Sequence, residues 1–362
     1  MQLLLHNGSL GEDGDATHPQ RPWQFWHPFV NVSVTSSHCS VVCPRRQADT
    51  LFAPILAGLG TAVKDEVSIS TEDFSVIMIG GEGLEAGQRV LELTSPLAMA
   101  GIPIFFFTSY WSDFILVPLS ARVKVIHALE QRGFVFEAEA DGEAGLMTNP
   151  ASPLLHPHQR NTSSTSSLDF VLLPGTPPPT SVSELQTRTF ATLKQKNISP
   201  RVDRTIELVT CAGLKEPTVS SSAAHFTEGK LQLGLVKCLT TTPPPRFLSL
   251  TLTDTESVSL TLERRLLPLF FNDGEDLLLG KDGPVQIPIT LDFENLPAES
   301  TGLVCGVASR LIDGMRHRLG ADVFDTSYLS TTRAGHVIVY EDELDNAMEC
   351  LRGAERNGVV GD

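Results

Sequence analysis

Residues 74–137 read FSVIMIGGEGLEAGQRVLELTSPLAMAGIPIFFFTSYWSDFILVPLSARVKVIHALEQRGFVFE, and the alternation of periods along this stretch decides the fold. Phe74 to Ile79 is a short, β-prone apolar run. Gly80, Gly81, Gly83 and Gly87 make a loop, and Val90 to Ala100 follows as an apolar helix that Pro96 should kink. Ile104 to Thr108 predicts a buried strand, Tyr110-Trp111-Ser112-Asp113 a turn, and Phe114 to Val117 another strand. Ser120 is placed to cap a helix that runs to Arg132 and stops at Gly133, with Val123, Ile126 and Leu129 on its apolar side. Phe134 to Glu137 completes the order βαββαβ.

That order is the ferredoxin-like unit, in which antiparallel strands form a sheet with helices on one face. It recurs near the C-terminus. Val285 to Leu291 reads as a strand, and a helix from about Thr301 carries Leu303, Val307, Leu311 and Met315 four apart. Val323 to Leu329 and Val337 to Tyr340 read as strands, and Asp342 opens a helix whose core face is Leu344, Ala347, Met348 and Leu351. An offset of 222 residues places Ile115-Leu116-Val117 over Val337-Ile338-Val339 and Thr108-Ser109 over Ser330-Thr331 without gaps, the mark of an internal duplication. Weaker copies fill the remainder. Phe29 to Thr35 and Cys39 to Cys43 form a hairpin before a helix from Ala48. Leu168 to Leu173, a helix over 183–196, Arg246 to Leu252 and Val258 to Leu262 resemble a third copy with insertions, and 215–222 and 240–245 read as loops. The expected class is α+β, tandem βαββαβ units with antiparallel sheets in two halves joined by a linker. The pattern leaves open whether these are four small modules or two larger domains. As four, the divisions are a disordered terminus 1–21, a degenerate unit 22–65, a unit 66–137, a Pro/His/Ser-rich linker 138–167, a third unit 168–283, a fourth 284–353 and a tail 354–362.

The chain has 362 residues, 41% of them hydrophobic, which is enough apolar material for a core. Its net charge of −16 repels phosphate backbones and anionic lipid, so neither nucleic acid nor a membrane surface is an expected partner. Leu3-Leu4-Leu5 is shorter than a signal-peptide core and has no basic flank, and Ile102 to Val117 is broken by Ser109, Ser112 and Asp113. A cytoplasmic chain with reduced, structural cysteines is expected, and the sequons at Asn31 and Asn161 then carry no meaning.

Chemistry has no visible carrier. Gly81-Glu82-Gly83-Leu84-Glu85-Ala86-Gly87 follows a strand and opens a helix as a dinucleotide loop does, but its spacing is GxGxxxG and two glutamates would face the pyrophosphate. His156-Pro157-His158 has no acidic or thiolate neighbour, Cys39 and Cys43 have no second pair, and no nucleophile elbow or Walker loop occurs, so no metal, no cofactor and no catalytic residue is expected. Helix starts are the features with binding potential. Their free amides and partial positive charge favour a carboxylate, and Gly302 before Leu303 and Val304 lets one approach the backbone. The aromatic turn at Tyr110 and Trp111 suits a partner contact.

Thr108-Ser109-Tyr110-Trp111-Ser112-Asp113-Phe114-Ile115-Leu116-Val117, the helix with Val125-Ile126-His127-Ala128-Leu129, and the C-terminal Gly302-Leu303-Val304, Ser330-Thr331 and His336-Val337-Ile338-Val339 together resemble the CASTOR family. These are cytosolic arginine sensors of the TOR growth-control pathway built from tandem ACT domains, ferredoxin-like units that bind amino acids at their interfaces. The resemblance implies a ligand between the second and fourth units, contacted by Pro103 and Ile104 on one side and by Pro297, Gly302, Leu303, Val304, Thr331, Thr332, Arg333 and Gly335 on the other. It implies a partner surface at Tyr110, Trp111 and Asp113, a regulatory protein complex of the TOR pathway as partner, and a possible homodimer. Gly335 stands where the family carries the acid that grips the guanidinium, and Pro103 where it carries a serine. A glycine has no charge with which to fork a guanidinium, and Arg333 two residues away points to an acidic or neutral amino acid, or to no ligand. The reading is a non-catalytic amino-acid-binding regulatory protein. The alternatives are a ligand-free interaction scaffold or a regulatory subunit of an amino-acid biosynthetic enzyme.

Overall fold

The computed structural model describes residues 29–60, 66–80, 86–137, 145–148, 179–214, 221–271, 276–297, 300–319 and 326–353. The expected terminus 1–21, the glycine loop 81–85, most of the linker 138–167, Leu168 to Leu173 and the tail 354–362 lie outside them. In chain order the elements begin with β1 (Val30–Thr35), β2 (Cys39–Val42), a short helical stretch 45–58, β3 (Phe74–Gly80), α1 (Ala86–Met99), β4 (Phe105–Thr108), β5 (Asp113–Pro118) and α2 (Arg122–Glu130). They continue with β6 (Val135–Glu137), β7 (Gly145–Thr148), α3 (Val182–Gln195), β8 (Arg201–Val202), β9 (Leu208–Gly213), α4 (Ser221–Thr240), β10 (Phe247–Leu252) and β11 (Ser259–Glu263). Last come β12 (Leu278–Leu279), β13 (Gln286–Asp292), α5 (Leu303–Leu319), β14 (Ser327–Ser330), β15 (Ala334–Tyr340) and α6 (Leu344–Arg352). No described helix is long and apolar enough to cross a membrane.

The elements gather into two compact units, and neither follows the expected division at 138–167. One takes 1–73, 109–111 and 204–287, the other 74–108, 112–203 and 288–362. Each draws on both sides of that stretch because strand pairing, not chain proximity, holds it together. Gly145–Thr148, expected within the linker, is itself the strand β7.

In the first unit the strands lie in the order β2-β1-β10-β11-β9-β12, antiparallel throughout. The segment β9-α4-β10-β11-β12 has the ferredoxin-like order, and β1 adds to its edge through Val30↔Leu252 to Thr35↔Phe247. Leu248, Leu250, Leu260 and Leu262 pack on Leu231, Leu235 and Phe270, and Val32 and Val34 join them. The opposite faces of β1 and β10 carry a buried polar ladder, in which Asn31 Nδ2 donates to Ser249 Oγ at 3.2 Å and Thr251 Oγ1 at 3.1 Å. The sequon asparagine is therefore a core residue, 1% exposed.

The second unit holds both clear copies. In the first, β5 lies between β3 and β4, and its six residues are all buried, which explains the unbroken run Phe114–Val117. Helix α1 covers it with Val90, Leu93, Leu97 and Ala98, a helical stripe. The expected closing strand Phe134–Glu137 shifts its partner: β6 pairs with β7, and β7 takes the place beside β3, in parallel. Ser120 lies in a 3₁₀ turn, Leu119–Ala121, that leads into α2, so it does not cap that helix. In the second copy β15 lies between β13 and β14, and β8 supplies the outer strand by pairing with β13. The helices α3, α5 and α6 lie over it, with Val304, Val307, Leu311 and Met315 of α5 buried.

Candidate functional site

The two copies in the second unit meet edge to edge. β14 runs antiparallel to β4 with Leu329 opposite Phe107. Side-chain hydroxyls extend this brief backbone pairing. Ser330 Oγ accepts from the Phe106 N–H at 2.9 Å, and Thr108 Oγ1 accepts from the Tyr328 N–H at 3.1 Å. The rings of Phe106 and Tyr328 meet edge on, with centroids 6.5 Å apart. Over this junction Ala98 of α1, Leu185 of α3 and Cys305 of α5 form a small apolar cluster. A site at this junction is therefore built from two copies of one motif.

The expected ligand residues fall as follows. Pro103 and Ile104 are half-buried in the chain that enters β4. The antiparallel direction brings that chain to the end of β14, where the turn Thr331–Arg333 leads into β15. Thr331 is buried and used by its own turn: its Oγ1 accepts from the Ala334 N–H and donates to the Ala334 carbonyl, both at 3.0 Å. Thr332 and Arg333 are exposed, and Arg333 Nη1 pairs with Glu294 Oε1 at 3.2 Å on the surface. The Arg333 carbonyl accepts from the Phe293 N–H at 2.7 Å, which ties the exit of β13 to the same turn. Pro297 is exposed.

Gly302 stands before the first turn of α5 with φ +76°, a conformation that side chains disfavour. Its carbonyl accepts from the Gly306 N–H at 2.8 Å and so opens the helix ladder. A Cβ here would lie 2.6 Å from Leu185 Cδ1, so α3 rests on one side of this helix start. Leu303 is half-buried and Val304 buried, and the first amides of α5 have no intrahelical acceptor. Gly335 is buried, and a Cβ there would run into Tyr328 Oη and lie 2.8 Å from Phe293 Cε2.

Tyr328, Phe293 and Leu185 did not emerge from the sequence reading. Tyr328 is 3% exposed, and among the described residues its Oη has no hydrogen-bond partner. Burial pushes its pKa up, so it is a neutral phenol. The available signal was a tyrosine with a polar tip in a strand, Ser327-Tyr328-Leu329-Ser330, whose hydroxyl needs a partner when buried.

The aromatic turn divides. Tyr110 and Trp111 belong to the first unit, their rings 4.8 Å apart, and Tyr110 is anchored by its N–H donating to Ser259 Oγ at 2.8 Å. Trp111 is 47% exposed. Asp113 belongs to the second unit, is 1% exposed and receives Arg89 Nε at 2.7 Å. Its carboxylate thus braces β5 against α1. The buried thiols of Cys211, Cys238 and Cys305 are pushed up by desolvation to about 12, 12 and 11, which leaves them protonated and unreactive. Among the described residues no three His, Cys, Asp or Glu side chains gather as a metal site.

One family match agrees with the ferredoxin-like order of its segment. The ACT domain family matches residues 69–131, the segment that runs from just before β3 to just past α2. Among solved structures, aspartate kinase from Synechocystis aligns with 11% identity and a TM-score of 0.27, over 89% of this chain and 48% of that one. The chain thus spans about half the length of that protein. No curated protein matches the sequence. The chain contains an ACT domain, a module that typically binds an amino acid in a regulatory role, set in an α+β fold of ferredoxin-like units.

Proposed function

We propose that the chain is a non-catalytic regulatory protein that binds a small amino acid in the second unit and reports its occupancy to a protein partner. The observation that carries this reading is the β4–β14 junction, where the ACT domain at 69–131 pairs with a second copy of its own motif. At that junction the start of α5, the turn after β14 and the chain before β4 lie at one end of one unit. A carboxylate finds amides and a favourable dipole at the start of α5. A ligand that touches both copies holds them in one arrangement and so biases a partner surface. Exposed Trp111 is the candidate for that surface. The likeness of residues 108–117 to the arginine sensors supports a cytoplasmic role in TOR-type signalling, with Gly335 and Arg333 favouring an amino acid other than arginine.

A thermal-shift panel of the twenty amino acids tests the reading. A true ligand at about 100 times its Kd adds about 2.7 kcal/mol of stability and raises the melting temperature. A panel without any shift sets the reading aside. The second reading, a scaffold without a ligand, draws on Leu185, which already rests against Gly302. It expects partner capture that no amino acid changes.

A further inference from the structure

A buried hydroxyl without a partner is costly, because it gives up hydrogen bonds to water and gains none. Tyr328 Oη is such a group among the described residues. Its surroundings are aromatic and neutral: the Phe106 ring meets it edge on, and Phe293 lies beside it at Gly335. The charged groups on the adjoining turn, Arg333 and Glu294, pair with each other at the surface, 49% and 59% exposed. Gly335 leaves room for the hydroxyl, since any side chain there would occupy the position of Tyr328 Oη. The backbone around it belongs to the end of the unit where α5 starts. The Arg333 carbonyl accepts from the Phe293 N–H at 2.7 Å, and Phe293 leads into the loop that ends at Gly302.

We propose that Tyr328 is the specificity-determining residue of this site, donating its hydroxyl to the side chain of an uncharged amino acid that carries a hydrogen-bond acceptor, the glutamine, asparagine, serine and threonine class. This rests on the amino-acid reading above. A phenol among aromatic rings offers no charge to neutralise a guanidinium, an ammonium or a carboxylate, so a charged side chain would be desolvated there without compensation. An acceptor oxygen completes the one missing hydrogen bond. A site built to hydrogen-bond its ligand rejects the analogue that lacks the polar atom.

The test compares wild-type protein with Tyr328→Phe, which removes the hydroxyl and little else. Without amino acid, Tyr328→Phe melts at or above the wild-type temperature, because a buried group without a partner has been deleted. In titrations with glutamine, its near-isostere methionine, serine, arginine and glutamate, wild type prefers an acceptor-bearing uncharged amino acid. Tyr328→Phe binds that amino acid about 3- to 10-fold more weakly and methionine unchanged. Gly335→Ala supplies a second arm: it loses both melting temperature and binding, and Tyr328→Phe in the same chain recovers part of the melting temperature, since the contact with Phe293 remains. A ligand-free melting temperature that falls in Tyr328→Phe overturns the proposal, because the hydroxyl then serves the fold. Equal affinities in the two proteins, or tightest binding by arginine or glutamate, overturn it while leaving an amino-acid site in place. A wild-type protein that binds none of the five, and shifts with none of the twenty amino acids in the thermal panel, removes both readings.

Discussion

Glu263 is 2% exposed at the end of β11 and is gripped from three directions. Arg265 donates through Nε at 3.0 Å and Nη2 at 2.8 Å, Arg246 through Nε at 3.1 Å, and the Arg246 N–H adds a bond of 2.8 Å. Burial alone would raise this carboxyl, but the hydrogen bonds from Arg265 and Arg246 outweigh it and hold it below the ordinary glutamate value. The same arginines reach the Pro244 carbonyl and the Thr205 carbonyl, so one carboxylate fixes two loops of the first unit. Removing one partner of a buried pair strands the other charges, so Glu263→Gln should lower stability by about 3 kcal/mol at pH 7, read by urea unfolding. A depressed carboxyl stabilises above its unfolded pKa, about 4.3, and loses that contribution as pH falls through its folded value. The gap between wild type and variant should therefore narrow below about pH 4 and stay constant from pH 6 to 8. None of this was legible in the sequence, which shows Glu263 only beside Arg264 and Arg265. The pairing depends on Arg246, seventeen residues earlier, and on a strand end that buries the acid between them.

At the scale of elements, the duplication was legible and its exactness was not. The 222-residue register read from five residues also carries β4 onto β14, the 3₁₀ turn 119–121 onto 341–343, and α2 onto α6, end for end. Strict periods in short strands and a capped helix make such segments readable without a partner. α4 was missed because Leu231-Gln232-Leu233-Gly234-Leu235 alternates as a strand does and two glycines interrupt it. The helix wins because Leu231 and Leu235 share one face and both enter the core of the first unit. β9 was missed as a short apolar run without flanking signals, and β8 is two residues long, set only by its pairing with β13. Of the candidate site, the glycine-led start of α5 could be read locally. Tyr328 offered only its polar tip as a local signal, and Leu185 offered none, because it matters through Gly302 far along the chain. A helix contact of the same kind joins α3, α5 and α6: the Arg310 guanidinium lies 4.0 Å over the Phe190 ring, and its Nε donates to the Cys350 carbonyl at 2.9 Å. Arg310→Ala should cost about 1–3 kcal/mol. Arg310→Lys should recover little of it, since an ammonium lacks the plane that stacks on the ring while holding that bond. Melting curves of the two variants check this, and full rescue by lysine would show that charge alone matters there.

The chain is threaded so that each unit takes segments from both sides of 138–167. Sequence halves would suggest that 1–167 and 168–362 are separable, yet each unit is closed by strands from both. β1 pairs with β10 across 218 residues, as Ser249 and Asn31, hydrogen-bonded at 3.2 Å, mark. β4 pairs with β14 across more than 200 residues, and Phe106 and Ser330 are bonded there at 2.9 Å. Neither half contains a whole sheet, so each alone would leave apolar edge strands open to water. Loop closures of this length delay folding, because their entropy is lost before the distant contacts form. Residues 1–167 and 168–362 expressed separately should therefore be insoluble or lack a cooperative thermal transition, and co-expression should restore a soluble pair that melts as one complex. Two halves that each unfold cooperatively on their own would show that local contacts suffice and that the long-range pairings are secondary. The same threading bears on regulation. A ligand at the β4–β14 junction would act on the contact that joins the two copies within the second unit. Amino-acid binding should then raise the recovery of the co-expressed halves, while Ser330→Ala, which removes the acceptor for the Phe106 N–H, should lower it by about 1–2 kcal/mol of assembly free energy.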